Sequence, residues 1–107
     1  MITIELDRLR EIRFTYNALV SAQKERGLGI LAMLDDNNDG PETVRALLWA
    51  GLIHEDKSLT PEKVGDLMDL YIKSGKDPAE IPKSIFKALD EHGAFKSPED
   101  ADIKNPT

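Results

Sequence analysis

The chain contains no cysteine among its 107 residues. That excludes a disulfide framework, a Cys-ligated zinc site and a cysteine nucleophile. Its two histidines, His54 and His92, are far apart in sequence, which argues against a His-rich metal site. Cationic side chains are in the minority, 14 Lys and Arg against 20 Asp and Glu, leaving a formal charge of −6. A protein that grips a phosphate backbone needs the reverse, so nucleic acid is not an expected partner. No apolar run approaches the roughly 18 residues of a membrane span, so no membrane association is expected. Met1 to Asp7 carry acid where a signal peptide would begin with basic residues. The expectation left by these absences is a soluble, intracellular, reduced chain. Its length suits one domain with one core, expected over residues 1–95.

What is present is mostly helical patterning. The first segment alone alternates with period 2: Ile2, Ile4 and Leu6 against Thr3, Glu5 and Asp7, then Ile12 and Phe14 against Glu11 and Arg13. This predicts a short hairpin over about 2–14, turning through Asp7-Arg8-Leu9-Arg10, although no Gly or Asn marks a tight turn. The rival is one helix from Glu5 to Arg26 with Leu6, Leu9, Ile12, Tyr16 and Leu19 on a stripe. Thr15 weighs for the hairpin, since its hydroxyl can cap a helix starting at Tyr16.

Helices are expected over about 16–26, 28–34, 41–54, 61–74 and 78–92. Gly27 and Gly75 are stops, Thr60 is a cap, and Pro41 and Pro61 stand at first helical positions. Val44, Leu47, Leu48, Gly51 and Leu52 have the spacing of a core-facing stripe, as do Val64, Leu67, Met68 and Tyr71. Asp77-Pro78-Ala79-Glu80 reads as a capping box, and Pro82 follows too soon for an undisturbed helix, so a short turn is expected before a main helix starting near Pro82. Ile85, Phe86 and Leu89 are assigned to the buried face of the last helix. Residues 96–107, with two prolines and one large apolar residue, are expected to be disordered. The fold class is therefore mainly α, a compact four- or five-helix domain with a short N-terminal β-hairpin.

Apparent motifs are incomplete. Asp35-x-Asn37-x-Asp39-Gly40 matches the first half of a calcium-binding EF-hand loop, but the position of the bidentate glutamate is Ala46 and Pro41 interrupts the loop. Whether the acidic loop 35–40 takes calcium stays open. Gly27-x-Gly29-x-x-Ala32 resembles a dinucleotide fingerprint but follows a helix where the fingerprint requires a strand. His54-Glu55-Asp56 reads as a polar helix terminus, and no serine lies in a nucleophile-elbow context. The helix from Pro61 offers Glu62, Lys63, Asp66 and Asp69, which phosphates would repel. No catalytic residue, cofactor or metal ligand is nominated, and no enzyme is expected.

Trp49 lies off the main stripe of its helix, near Leu52 and Ile53, and Tyr71-Ile72 broadens the next stripe in the same way. Burial between helices accounts for such residues; an apolar patch that receives a partner helix is the functional alternative. Trp49, Leu52, Ile53, Tyr71 and Ile72 are the candidate partner-binding residues.

The residue order adds a resemblance. Arg13-Phe14-Thr15-Tyr16-Asn17-Ala18-Leu19 followed by Gly27-Leu28 resembles the opening of the bacteriophage tail assembly chaperones. Val44 to Asp56, with Leu48-Trp49-Ala50-Gly51-Leu52 at its centre, is similar to the same family. So is its lead into Leu59-Thr60-Pro61-Glu62-Lys63-Val64-Gly65-Asp66-Leu67. The resemblance spans roughly Ile2 to Phe95 and consists of packing and capping patterns. It implies a protein of the bacterial host cytoplasm, absent from the finished virion. Such a protein binds the tape measure protein, keeps it soluble and helps recruit tail tube protein around it. The alternative is a small helical virion component, a head–tail or tail-completion protein. Self-association is left open.

Overall fold

The computed structural model describes residues 1–93, so the expectation for 96–107 lies outside the described residues. The order of elements is β1 (Ile2–Glu5), β2 (Leu9–Ile12), α1 (Tyr16–Arg26), α2 (Ile30–Met33), a 3-10 turn at Asp36–Asn38, α3 (Pro41–Leu52), α4 (Pro61–Lys73) and α5 (Glu80–His92). The fold is mainly α with an N-terminal antiparallel hairpin, and the rival single helix over the first segment is excluded. No helix among the described residues is long and apolar enough to cross a membrane.

In the hairpin Ile2 pairs with Ile12 and Glu5 with Leu9. Ile4, Leu6, Ile12 and Phe14 are buried, and Thr3, Glu5 and Arg13 are exposed, as the alternation requires. The turn is tighter than expected, because Leu9 and Arg10 belong to β2. It closes without glycine through Asp7, whose carboxylate accepts Arg8 N–H at 3.0 Å and grips Arg10 in a two-pronged contact at 2.8 and 2.9 Å. Arg10 also reaches Asp56 at 3.5 Å, tying the hairpin to the chain after α3.

The Arg10 hydrogen bonds hold the Asp7 carboxyl down to about 2, from 3.8. A depressed carboxyl stabilises the fold above its unfolded pKa and loses that contribution as pH falls through the folded one. Asp7 is 39 % exposed, so solvent screening limits the effect. Urea melts between about pH 5 and pH 2 should show Asp7→Asn losing about 1 kcal/mol less stability on acidification than the unaltered protein.

Thr15 caps α1 by accepting Ala18 N–H at 3.0 Å, and Gly27, at φ 77°, closes it in the left-handed conformation. α2 is a single turn shorter than the expected 28–34, since Gly29 is extended and the helix begins only where Gln23 Oε1 accepts Ile30 N–H. The acidic loop holds a 3-10 turn, capped by Asp35 on Asn37 N–H.

α3 is the central element. It packs against α1, α4, α5 and β2, and Thr43, Ala46, Leu47, Leu48, Ala50, Gly51 and Leu52 are all buried on it. It ends at Leu52, with Ile53 and His54 in the turn beyond. β2 lies close over its last turn, where Arg13 N–H donates to Gly51 O at 2.9 Å. The buried Thr43 hydroxyl accepts from Arg26, joining the end of α1 to the start of α3.

Thr60 caps α4 on Lys63 N–H, with Pro61 at the first helical position. Before α5 the capping box is half made. Asp77 accepts Ala79 N–H, whereas Glu80 turns to Lys83 at 3.6 Å. The helix therefore starts at Glu80, two residues later than expected, and runs through Pro82 without a break. Pro82 is its third residue, where an N–H would have no acceptor within the helix. The buried stripe of α5 is Ile81, Ile85, Ala88 and Leu89. Phe86 does not belong to that face; it is 52 % exposed at the stripe's edge.

Candidate functional site

Trp49 follows Leu48 on α3 by one residue, a turn of about 100°, which carries its side chain off the fully buried face. The indole is half-buried, and its Nε1–H donates to Leu59 O at 3.1 Å in the connection to α4. That bond satisfies the ring's one polar group and fixes its plane, leaving the rest of the ring for packing. Beside it opens a recess of about 420 Å³ between α1 and the end of α3. Ala18, Trp49, Ala50, Ile53 and Leu59 give it apolar walls, and Arg13, His54 and Lys57 stand on its lining as well. His54 Nε2 lies 2.9 Å from Glu11 O, so the imidazole is tethered to β2. The arrangement provides an open apolar volume with basic side chains around it, and among the described residues no carboxylate lines it.

The five residues singled out from the sequence do not form one patch. Trp49 and Ile53 line the recess together. Leu52 is a correction: at 0 % exposure it is a core residue with no surface to present. Tyr71 is a second correction, because it too is buried. Lys76 Nζ, just past α4, sits 5.1 Å from the centre of its ring and donates to Glu5 O, so that lysine links Tyr71 to the end of β1. Burial and then the charges of Glu80 and Asp77 push its phenol up from 10.0. Ile72 is 45 % exposed but lies at the far end of α4, roughly 16 Å along the helix from Pro61. Sequence reasoning missed Ala18, Leu59, Arg13 and Lys57, which come to Trp49 only through the packing of α1 on α3 and the return of the chain into α4.

Two places could be asked to hold a cation. Among the described residues, Glu11, His54 and Glu55 form the one group of three ligand-type side chains whose ligand atoms lie within 4.8 Å of one another. Glu55 is already paired with Arg8 at 3.3 Å, so an ion there would have to displace a guanidinium. The acidic loop 35–40 makes no such group, and Asp35 spends a carboxylate oxygen on Asn37 N–H.

Compared with protein-family models, with curated proteins and with solved structures, the chain finds no match in any of the three.

Proposed function

We propose that this protein is a phage tail assembly chaperone that binds helical segments of the tape measure protein through the Trp49 recess. The observation that carries the reading is the open apolar volume beside Trp49 and Ile53, inside the stretch whose residue order resembles that family. A tape measure is a very long helical protein whose apolar stripes invite aggregation until the tail tube covers them. Apolar side chains from one stripe would enter the recess, while Arg13 and Lys57 would pair with acidic residues flanking it. The net charge of −6 would keep the assembly soluble. A recess that admits side chains rather than a whole helix gives a small interface, so the complex is expected to be weak, with a Kd in the micromolar range, about −8 kcal/mol. Weak binding suits a partner that the growing tube must displace.

Co-expression with tape-measure segments from the same genome tests the reading. Segments that aggregate alone should become soluble and co-purify with the protein, which should be absent from finished particles. No rescue together with its presence in purified particles would favour the virion-component reading. Ile53→Asp, which puts a carboxylate on the apolar wall, should weaken capture at least tenfold, about 1.4 kcal/mol. The rim variant Lys57→Glu, at an exposed position, should weaken it less and in a salt-dependent way. Circular dichroism checks that both variants stay folded.

A further inference from the structure

On the face formed by α2, α3 and α5, a second hollow of about 290 Å³ opens between Met33 and Leu34, Val44 and Leu47, and Ile85 and Phe86. Past Phe86 it continues into a smaller one of about 170 Å³, walled by Leu34, Phe86, Leu89 and Asp90. Leu34 and Phe86 line both, so the two make one groove along α5. Among the described residues, every ionisable side chain that lines it is acidic: Asp35, Asp36, Asp39 and Asp90. None of the four takes part in an ion pair among the described residues. Lys83 and Lys87 flank Phe86 in sequence but line neither hollow.

We propose that this groove is a docking site for an amphipathic helical segment of a partner protein whose apolar stripe is flanked by Lys and Arg. Phe86, half in solvent on α5, supplies the aromatic anchor that such segments pack against. The apolar floor takes the stripe, and the four carboxylates at its margin select the sign of the flanking charge. The rim of the Trp49 recess carries the opposite charge, so the two openings discriminate between segments of opposite flanking charge. The proposal rests on the groove alone and stands apart from the tape-measure reading.

The probe is a blocked peptide of leucine and lysine in helical register, roughly 14 residues long, compared with its glutamate counterpart by fluorescence anisotropy on the full chain. The lysine peptide should bind saturably and the glutamate peptide at least tenfold more weakly. Phe86→Ser, at an exposed position, should reduce lysine-peptide binding at least tenfold, and Asp36→Asn with Asp39→Asn should reduce it severalfold. Ile53→Asp, in the other recess, should leave it unchanged. Equal binding of the two peptides, no saturable binding, or a lysine-peptide affinity indifferent to Phe86→Ser would overturn the proposal. Loss with Ile53→Asp but not with Phe86→Ser would overturn it too, by placing the peptide in the other recess.

Discussion

Leu48→Ala is expected to lower the unfolding free energy by about 3–4 kcal/mol, a large share of the roughly 5–15 kcal/mol that holds a domain of this kind together. Leu48 has no exposed surface and sits in the middle of α3, which packs against α1, α4, α5 and the hairpin. Removing its side chain strips apolar contacts and opens a cavity that the surrounding helices cannot all close at once, because movement toward one side opens another. Urea unfolding should show the midpoint falling with the slope unchanged. Leu70→Ala provides the contrast. That leucine is 48 % exposed on α4, and its truncation should cost less than about 1 kcal/mol.

Gly51→Ala is the second large effect, and its sign is not what helix propensity suggests. Alanine gains about 1 kcal/mol over glycine inside a helix. At position 51, however, a Cβ would stand 2.7 Å from Ile12 Cγ2 and 3.2 Å from Phe14 Cζ. Ile12 is fully buried and β-branched, with no free end to swing away. The hairpin would have to lift, straining the Arg13 N–H to Gly51 O bond, and overpacking of this sort costs about 1–3 kcal/mol. A net loss of about 1–2 kcal/mol is expected, with faster amide exchange at Arg13. Gly65→Ala on α4 should behave oppositely. Its Cβ would meet only the Arg45 side chain, at 3.3 Å to Cδ, which can move, so propensity should win and stability hold or rise slightly.

These two positions also mark what the sequence could and could not disclose. Local chemistry was readable: Thr15 and Thr60 as caps, Gly27 as a left-handed stop, Pro41 and Pro61 at helix starts, and the alternation that buries Ile4, Ile12 and Phe14. The same alternation puts Arg10 on the inward face, a signal present in the sequence but masked by its charge. Its burial becomes intelligible only once Asp7 and Asp56 are beside it. Pro82 correctly signals a short turn before the main helix, which starts at Glu80 instead of residue 78, whereas Phe86 falls outside the buried face because a stripe can be drawn one position too wide.

The recess was half legible. Trp49 and Ile53 stood out as apolar residues beside an already filled stripe, and they do line it. Leu52 and Tyr71 stand out for the same reason, yet both are buried, Leu52 on a helix that β2, α4 and α5 all pack against. Periodicity reports which residues are apolar on a helix face. Which neighbour covers that face depends on contacts between distant segments, such as α1 on α3, that no local spacing encodes.

The proposed function puts apolar side chains of a tape-measure helix into the recess beside Trp49, and the protein carries its own reporter, since Trp49 is its single tryptophan. Titration with a tryptophan-free tape-measure segment, read by intrinsic fluorescence, tests it directly. A saturable blue shift is expected, as a half-buried indole becomes fully covered, together with its loss in Ile53→Asp. Binding detected by calorimetry with no change in Trp49 emission would place the partner elsewhere, and no binding at all would contradict the claim outright.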